Sequence, residues 1–271
     1  MSDMFNAIWR YRHFIVSSIR NDLRSRFARS KLGAVWMILQ PLAQVAIYSL
    51  VLSRIMSAKL PGVDNPYAYS LYLLSGMLAW SLFSEIITRS LTVFVDNGSM
   101  LKKIVFPRVC LPLIVVGSAL VNNILLFVVT VVVFALLGHL PNSAVLWMPL
   151  LLLCNVAFSL GLGLLLGVLN VFIRDINQFM TVVLQLWFWL TPIVYMTTII
   201  PPSLMSTMRL NPMYWIVTEY QGLLVFGRGP DLMSLLPIAV SAVVLLLAGL
   251  LLFRRAATDM VDVLSILLSF A

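Results

Sequence analysis

Six stretches of this chain, at 34–53, 70–94, 111–137, 145–169, 177–196 and 233–253, are each almost wholly apolar and separated by polar breaks. About 20 such residues in a helix cross the roughly 30 Å hydrocarbon core of a bilayer. Inside lipid, only a helix or a closed barrel satisfies its own backbone hydrogen bonds. The expected fold class is therefore all-α integral membrane, with six transmembrane helices. Composition agrees: 61% of the residues are hydrophobic and 10% charged, where a soluble domain holds about half and about a quarter.

The second stretch is the least clean, because Glu85 and Arg89 fall inside it. Four residues apart on a helix, they share a face and can pair. A paired charge turned into protein is tolerable where one facing lipid is not, so this span is expected to pack inward. Orientation follows from Lys and Arg. Fourteen of them lie before the first span, between spans two and three (with Arg89 at the adjoining end of the second), between four and five, and after the last, against four (Arg54, Lys59, Arg209 and Arg228) on the other side. Both termini are expected in the cytoplasm. The net charge of +8 thus follows membrane topology, and no nucleic-acid partner is expected.

Residues 1–33 form an N-terminal amphipathic interface helix, followed by a transmembrane domain over 34–271. At 100° per residue, Phe5, Ile8, Trp9, Ile15, Val16, Ile19, Leu23 and Phe27 gather on one arc, with Arg12 and Arg26 intruding. Such a basic helix lies along the cytoplasmic face, its cations near lipid phosphates. Between spans five and six, Pro201-Pro202, Asn211-Pro212 and Gly227-Arg-Gly-Pro230 bracket the apolar runs Leu204–Leu210 and Met213–Phe226. They read as two short re-entrant helices, with a plain loop as the competing reading.

Several functions are disfavoured. No G-x-x-x-x-G-K-[ST] occurs, so the chain does not cradle nucleotide phosphates itself. Gly161, Gly163 and Gly167 read instead as small residues that let helices approach. No H-E-x-x-H or G-x-S-x-G appears, His13 and His139 fall on opposite sides of the membrane, and Ser118 and Ser159 lack a base. No catalytic residue and no metal site is expected. Cys110 and Cys154 read as structural thiols. Ion-driven carriers keep ionisable groups near the midplane, whereas Glu85 and Glu219 lie close to the interfaces. The energy is expected to come from a partner.

Three ordered segments carry a family resemblance. They are Arg29-Ser-Lys-Leu-Gly-Ala-Val-Trp-Met-Ile-Leu-Gln-Pro-Leu42; Asn97-Gly-Ser-Met-Leu-Lys-Lys-Ile-Val-Phe-Pro-Arg108 with Leu111-Pro112; and Asn170-Val-Phe-Ile-Arg-Asp-Ile-Asn177 with Thr191-Pro192-Ile-Val-Tyr195 and Asn211-Pro212. Over essentially the whole chain, the set resembles the membrane subunit of ABC-2 type exporters. The branch is the one that moves O-antigen, capsule and teichoic acid chains. The resemblance implies a homodimeric permease of the bacterial inner membrane, paired with two copies of a separate ABC ATPase subunit that holds ATP and Mg. The segment from Asp96 to Pro107 would be a coupling helix docking on that ATPase through Asp96, Lys102, Lys103 and Arg108. Arg174 and Asp175 would make a second contact, or simply order their turn as an ion pair.

The implied cargo is a sugar polymer on an undecaprenyl pyrophosphate anchor. Its conduit should offer flat apolar faces with polar edges, which Tyr and Trp provide. Candidates are Tyr67, Tyr69, Tyr72 and Trp80 on the second span, Trp187, Trp189 and Tyr195 on the fifth, and Tyr214, Trp215 and Tyr220 in the re-entrant pair. An interfacial aromatic belt explains the same positions. Arg20, Arg24, Arg26 and Arg29 are candidates to steer the pyrophosphate, or to meet anionic lipid generally. Two rival functions remain: an ABC-2 permease for another cargo such as a drug or lipid, and a stand-alone membrane transferase.

Overall fold

Apolar runs without internal helix breakers become helices once lipid removes the competition of water for the backbone. The computed structural model describes residues 9–27, 35, 36, 39, 40, 42–44, 46, 47, 67–98 and 107–269, with the side chains of 26, 27, 257–259 and 261–269 outside that description. Every regular element among them is helical: α1 (Arg12–Phe27), α2 (Ala68–Asp96), α3 (Cys110–Leu136), α4 (Met148–Phe172), α5 (Asp175–Trp189), α6 (Pro202–Met208), α7 (Pro212–Leu224) and α8 (Leu232–Ser269). A 3₁₀ turn, Ser143–Trp147, leads into α4. Four helices among the described residues are long and apolar enough to cross a membrane: Ala68–Asp96, Cys110–Leu136, Ser143–Phe172 and Leu232–Ala256. They match the second, third, fourth and sixth expected spans.

The other two expected spans come out differently. The first, 34–53, lies largely outside the described residues, and those described within it, between Val35 and Ile47, are helical. The fifth stops at Trp189 rather than Met196. Its 15 residues rise about 22 Å, short of the roughly 30 Å core. The cause is local. Thr191 turns its hydroxyl back to the Trp187 carbonyl (2.8 Å), and Pro192 has no N–H with which to continue the ladder. The two short helices expected after it form as α6 and α7. Both start on a proline, and the Asn211 side chain caps α7 by accepting from the Met213 N–H (2.9 Å). Asp231 caps α8 in the same way, and the Ser234 hydroxyl and Met233 N–H hold its carboxyl below the ordinary range.

α2 is the hub. Of its apolar window 78% is buried, against 28% for α3 and 22% for α8. Three buried asparagines donate to its carbonyls: Asn123 of α3 to Leu78 (2.9 Å), and Asn155 and Asn170 of α4 to Ala79 (2.9 Å) and Leu91 (2.7 Å). Where apolar packing gives no preference over lipid, such bonds and close backbone approach hold helices together. Phe83 of α2 centres an aromatic knot, with ring centroids 5.3 Å from Trp80, 6.0 Å from Phe158 and 5.1 Å from Trp187. With the contacts of Gly161 on Leu246, Phe94 on Phe253, Arg89 on Val115 and Asn177 on Asn170, these pairings run α2, α4 and α8 parallel, with α3 and α5 antiparallel to them. α1 and the later part of α8 meet at one end of the bundle, where Tyr11, Phe14 and Ile15 pack into a cluster with Val93, Phe94, Val168, Phe253 and Met260.

Small residues set the spacing, as their sequence pattern anticipates. A Cβ on Gly161 would stand 2.6 Å from the Leu246 backbone N of α8, and one on Gly167 would stand 2.3 Å from the Ser90 carbonyl oxygen. Gly161→Ala is therefore expected to cost about 1–3 kcal/mol through overpacking. Gly222→Ala, where an added Cβ meets nothing within 4 Å, should leave stability unchanged or raise it. Thermal unfolding of the two variants in detergent checks this, and equal melting temperatures would contradict the proposed spacing.

Candidate functional site

Within the second span, Ser81, Ser84, Glu85 and Thr88 recur at the spacing of one helix face. A hydroxyl and carboxylate stripe at that depth is costly against lipid, and the structure turns it onto a groove. The groove has a volume of about 640 Å³. Gln40 and Gln44 reach it from the first apolar segment, Asn122 and Asn123 from α3, and Thr181 and Gln185 from α5. Trp80, Phe188 and Trp189 supply flat apolar surface beside these amides and hydroxyls. Trp80 stands edge-on to Phe188 at 5.6 Å. By contrast, a second cleft of about 320 Å³ between α3 and α4 is almost wholly apolar, lined by Phe127, Leu146 and Leu152 among others.

At one end of the stripe the polar groups form a network. Asn122 donates to the Glu85 Oε1 (2.7 Å), and the Arg89 guanidinium lies 3.8 Å from the same oxygen. The expected Glu85–Arg89 pair is thus present, but the tighter partner of Arg89 is Asp22 of α1, at 2.8 Å. Arg89 also donates to the Val115 carbonyl of α3 (3.4 Å). All three ionised side chains are largely but not wholly shielded, so the pairing is charge-assisted without being sealed from water. Beside it, Ile19 of α1 sits on Gly117 of α3, where a Cβ would come within 2.3 Å of the Ile19 Cδ1. α1 is therefore clamped to the bundle as well as lying beside it. Arg20 and Arg24 remain exposed on α1, and the Arg12 guanidinium covers the Trp9 ring at 4.9 Å. The Arg26 side chain and Arg29 lie outside the described residues.

The aromatic candidates separate by position. Trp80 and Trp189 line the groove. Tyr69 and Tyr72 are buried and pin the loop after α5: the Tyr69 hydroxyl donates to the Val194 carbonyl, and that of Tyr72 lies 3.3 Å from the carbonyls of Pro192 and Tyr195. Gln221 of α7 donates to Pro192 as well (3.0 Å). Tyr195 lies in this loop rather than on a span and donates to the Trp189 carbonyl (3.0 Å). Trp187 packs on Phe83 and donates to Asn211 (2.7 Å), and Trp215 donates to the Arg209 carbonyl (2.9 Å). Tyr214 meets the Met205 sulfur, Tyr220 is fully buried, and Tyr67 is exposed at the start of α2. The groove amides and hydroxyls were not singled out from sequence. Their signal was the run of polar residues at helical spacing within apolar spans, namely 40/44, 81/84/85/88 and 181/185.

At the α1 end, Asp96 closes α2, and the Asn97 side chain returns to the Val93 carbonyl (2.8 Å). Arg174 and Asp175 are exposed at the α4–α5 turn, and Arg108 is half-buried just before α3. Asn170 binds these parts together. Its amide N–H₂ donates to Leu91 of α2, while its oxygen accepts from the Asn177 N–H of α5 (3.0 Å). Lys102 and Lys103 lie outside the described residues.

Residues 13–225 match the family model described as ABC-2 type transporter. The chain is similar to the O-antigen export system permease protein RfbA of Myxococcus xanthus, 30% identical over 256 residues, which cover 94% of this chain and 96% of that protein. An O-antigen export system permease protein RfbA of Klebsiella pneumoniae is 28% identical over 243 residues, covering 89% and 91%. The polysialic acid transport protein KpsM of Escherichia coli is 24% identical over 240 residues, covering 86% and 89%.

The clamp between α1 and α2 has a measurable coupling. Asp22→Asn and Arg89→Gln should each cost about 1–3 kcal/mol. The double variant should cost less than the two together, by about 1 kcal/mol. Additive losses in detergent unfolding would show that the pair does not act as a unit.

Proposed function

This chain belongs to the ABC-2 type transporter family, and from that premise we propose that it is the membrane permease of an ATP-driven exporter of lipid-linked O-antigen polysaccharide. The observation that carries this reading is the groove: amides and hydroxyls from the first apolar segment, α2, α3 and α5 face one another at membrane depth, beside Trp80, Phe188 and Trp189. A hydroxyl-rich, flexible polymer needs hydrogen-bonding edges and flat apolar faces along its path. The names of the relatives, O-antigen export and polysialic acid transport, support a polysaccharide over a drug. A transferase would need reactive groups that the groove does not gather among its described residues.

In this reading residues 1–33 are the cytoplasmic interface element and 34–271 the transmembrane domain. Six crossings are supported by connectivity. α1 sits at the Arg89 end of α2, and the first apolar segment, 34–53, would be the crossing that leads to the start of α2. α5 and the pinned loop after it supply another crossing, with α6 and α7 re-entrant on the outer side. Two copies form the conduit, each paired with one ATPase subunit that binds ATP and Mg. The segment 96–107, with Lys102, Lys103 and Arg108, and the turn at Arg174 and Asp175 receive the ATPase, and Asn170 keeps the two in register. Arg20, Arg24, Arg26 and Arg29 meet the undecaprenyl pyrophosphate. Export requires two states of the dimer with different ATPase contacts.

Two variants test the reading in cells that lack their own exporter. Ser84→Trp with Thr181→Trp, filling opposite walls of the groove, should abolish surface polysaccharide while the protein still accumulates in the membrane with its ATPase. Lys102→Glu with Lys103→Glu should abolish export by losing the ATPase from the purified complex. Undiminished surface polymer in the first variant removes the groove from the path, and in the second it removes the docking role.

A further inference from the structure

Besides the groove, the bundle carries the apolar cleft between α3 and α4, about 320 Å³ in volume. Among the described residues its walls include Ile124 and Phe127 of α3, Pro149 and Leu152 of α4, and Leu146 of the 3₁₀ turn. Ile124 and Leu146 are 53% and 83% exposed, so the cleft opens on the periphery of the bundle. Its inner end lies at Asn123, the midpoint of the 27-residue α3. From Ile124 to the end of α3 at Leu136 the helix rises about 18 Å, against roughly 15 Å for half of a hydrocarbon core. The cleft therefore has the depth of one leaflet, at the end of the bundle opposite α1. A cation is held at its mouth. Asn142 donates to the Gly227 carbonyl (2.9 Å), and a Cβ on Gly229 would stand 3.9 Å from the Trp147 Nε1. Gly227 has a left-handed φ of +61°, and a Cβ there would run into the Asn142 amide, so only glycine lets the loop lie this close. Residues 142 and 147 bracket the turn that carries Leu146, which sets Arg228, between the two glycines, beside that turn. Arg228 is exposed, with its guanidinium on the Phe226 ring at 5.2 Å. The nearby Asp231 carboxylate is engaged by the Met233 N–H and the Ser234 hydroxyl.

We propose that this cleft and loop form a site for an anionic glycerophospholipid, with one acyl chain between α3 and α4 and the phosphate at Arg228 and the Trp147 indole N–H. The site holds a lipid of the surrounding bilayer rather than cargo, so it stands apart from the reading of the groove as the conduit. Leaving bulk lipid for the cleft gains an acyl chain no hydrophobic energy, because both surroundings are hydrocarbon. Retention then depends on contact along the cleft walls and on the headgroup. An arginine fork takes two phosphate oxygens in charge-assisted hydrogen bonds, and a tryptophan at the interface donates from its ring nitrogen. A diacylglycerol would leave Arg228 unused, and a soluble anion would leave the apolar walls unused. A phospholipid engages both. The headgroup is net anionic, because an ammonium on the lipid would compete with Arg228 for the phosphate.

Native mass spectrometry of the full chain, released from nanodiscs of phosphatidylglycerol into mild detergent, reads the bound lipid directly. A phosphatidylglycerol should stay on each chain, whereas a diacylglycerol with the same acyl chains should be lost. Arg228→Gln should weaken retention by about tenfold, the scale of one hydrogen bond to a charged group. Leu152→Trp, which fills the cleft, should abolish it. Equal retention of the two lipids, or equal retention by the wild type and both variants, overturns the proposal. Displacement of phosphatidylglycerol by equimolar undecaprenyl phosphate also overturns it, by assigning the site to a prenyl carrier. A second measurement needs no variant to fold. Phosphatidylglycerol with a photoreactive diazirine at mid-chain should label Phe127 and Leu152 of the wild-type chain severalfold more than Val240, Val244 and Leu247, which are exposed on α8. Equal labelling of the two places would leave the cleft no different from the general lipid boundary and the proposal refuted.

Discussion

A helix that carries Ser81, Ser84, Glu85, Thr88 and Arg89 within an otherwise apolar span cannot present that face to hydrocarbon, and the rest of the bundle is arranged around this constraint. Lipid offers neither hydrogen bonds nor counter-ions, so α2 must be surrounded by protein. α3, α4, α5 and α7 all pack on it. The polar stripe then has two outlets. At one end Arg89 pairs with Asp22 and donates to the Val115 carbonyl, while Glu85 accepts from Asn122. The remainder faces the groove, where the first apolar segment, α3 and α5 return amides and hydroxyls of their own.

Holding such a bundle together asks for interactions that lipid cannot imitate. Leucine against leucine is worth little when the alternative is leucine against an acyl chain. The structure uses asparagine amides aimed at backbone carbonyls and glycines that let backbones touch. Asn155 and Asn170 fasten α4 to α2 at two heights, and Gly163 and Gly167 bring the same pair close around Ser90. Gly161 performs the same service between α4 and α8. α4 thus carries a seam on each of two faces, which explains why it is buried more than α3 or α8.

The clamp at Arg89 changes the meaning of the N-terminal helix. A basic amphipathic segment resting on a membrane surface would be free to move relative to the bundle. Here Asp22 and Ile19 fix α1 to α2 and α3 beside the Glu85 end of the groove. At the other end of α2, buried tyrosines do comparable work, holding the loop after α5 against the bundle. Aromatic hydroxyls there serve backbone carbonyls, whereas the wall of the groove is made by Trp80, Phe188 and Trp189.

What the sequence determined is what depends on near neighbours along the chain. Apolar runs of membrane length placed α2, α3 and α4 to within a few residues and the start of α8, which continues to Ser269 beyond the expected end at 253; the spacing of Glu85 and Arg89 announced their pair, and the prolines announced α6 and α7. The small residues at Gly161, Gly163 and Gly167 announced close packing, though not against which helix. The polar stripe of α2 was also there to be read as a periodicity. Tertiary structure decided the rest, because it depends on residues distant in sequence. Arg89 prefers Asp22 over Glu85 because folding brings α1 beside α2, and no local pattern encodes that meeting. Tyr69 and Tyr72 differ from Trp80 in use only because the turn at Thr191 and Pro192 ends α5 early and lays its carbonyls within reach of the hydroxyls. Hydropathy along a chain measures how much of a helix must avoid water, but which face meets a groove is settled by the helices that surround it.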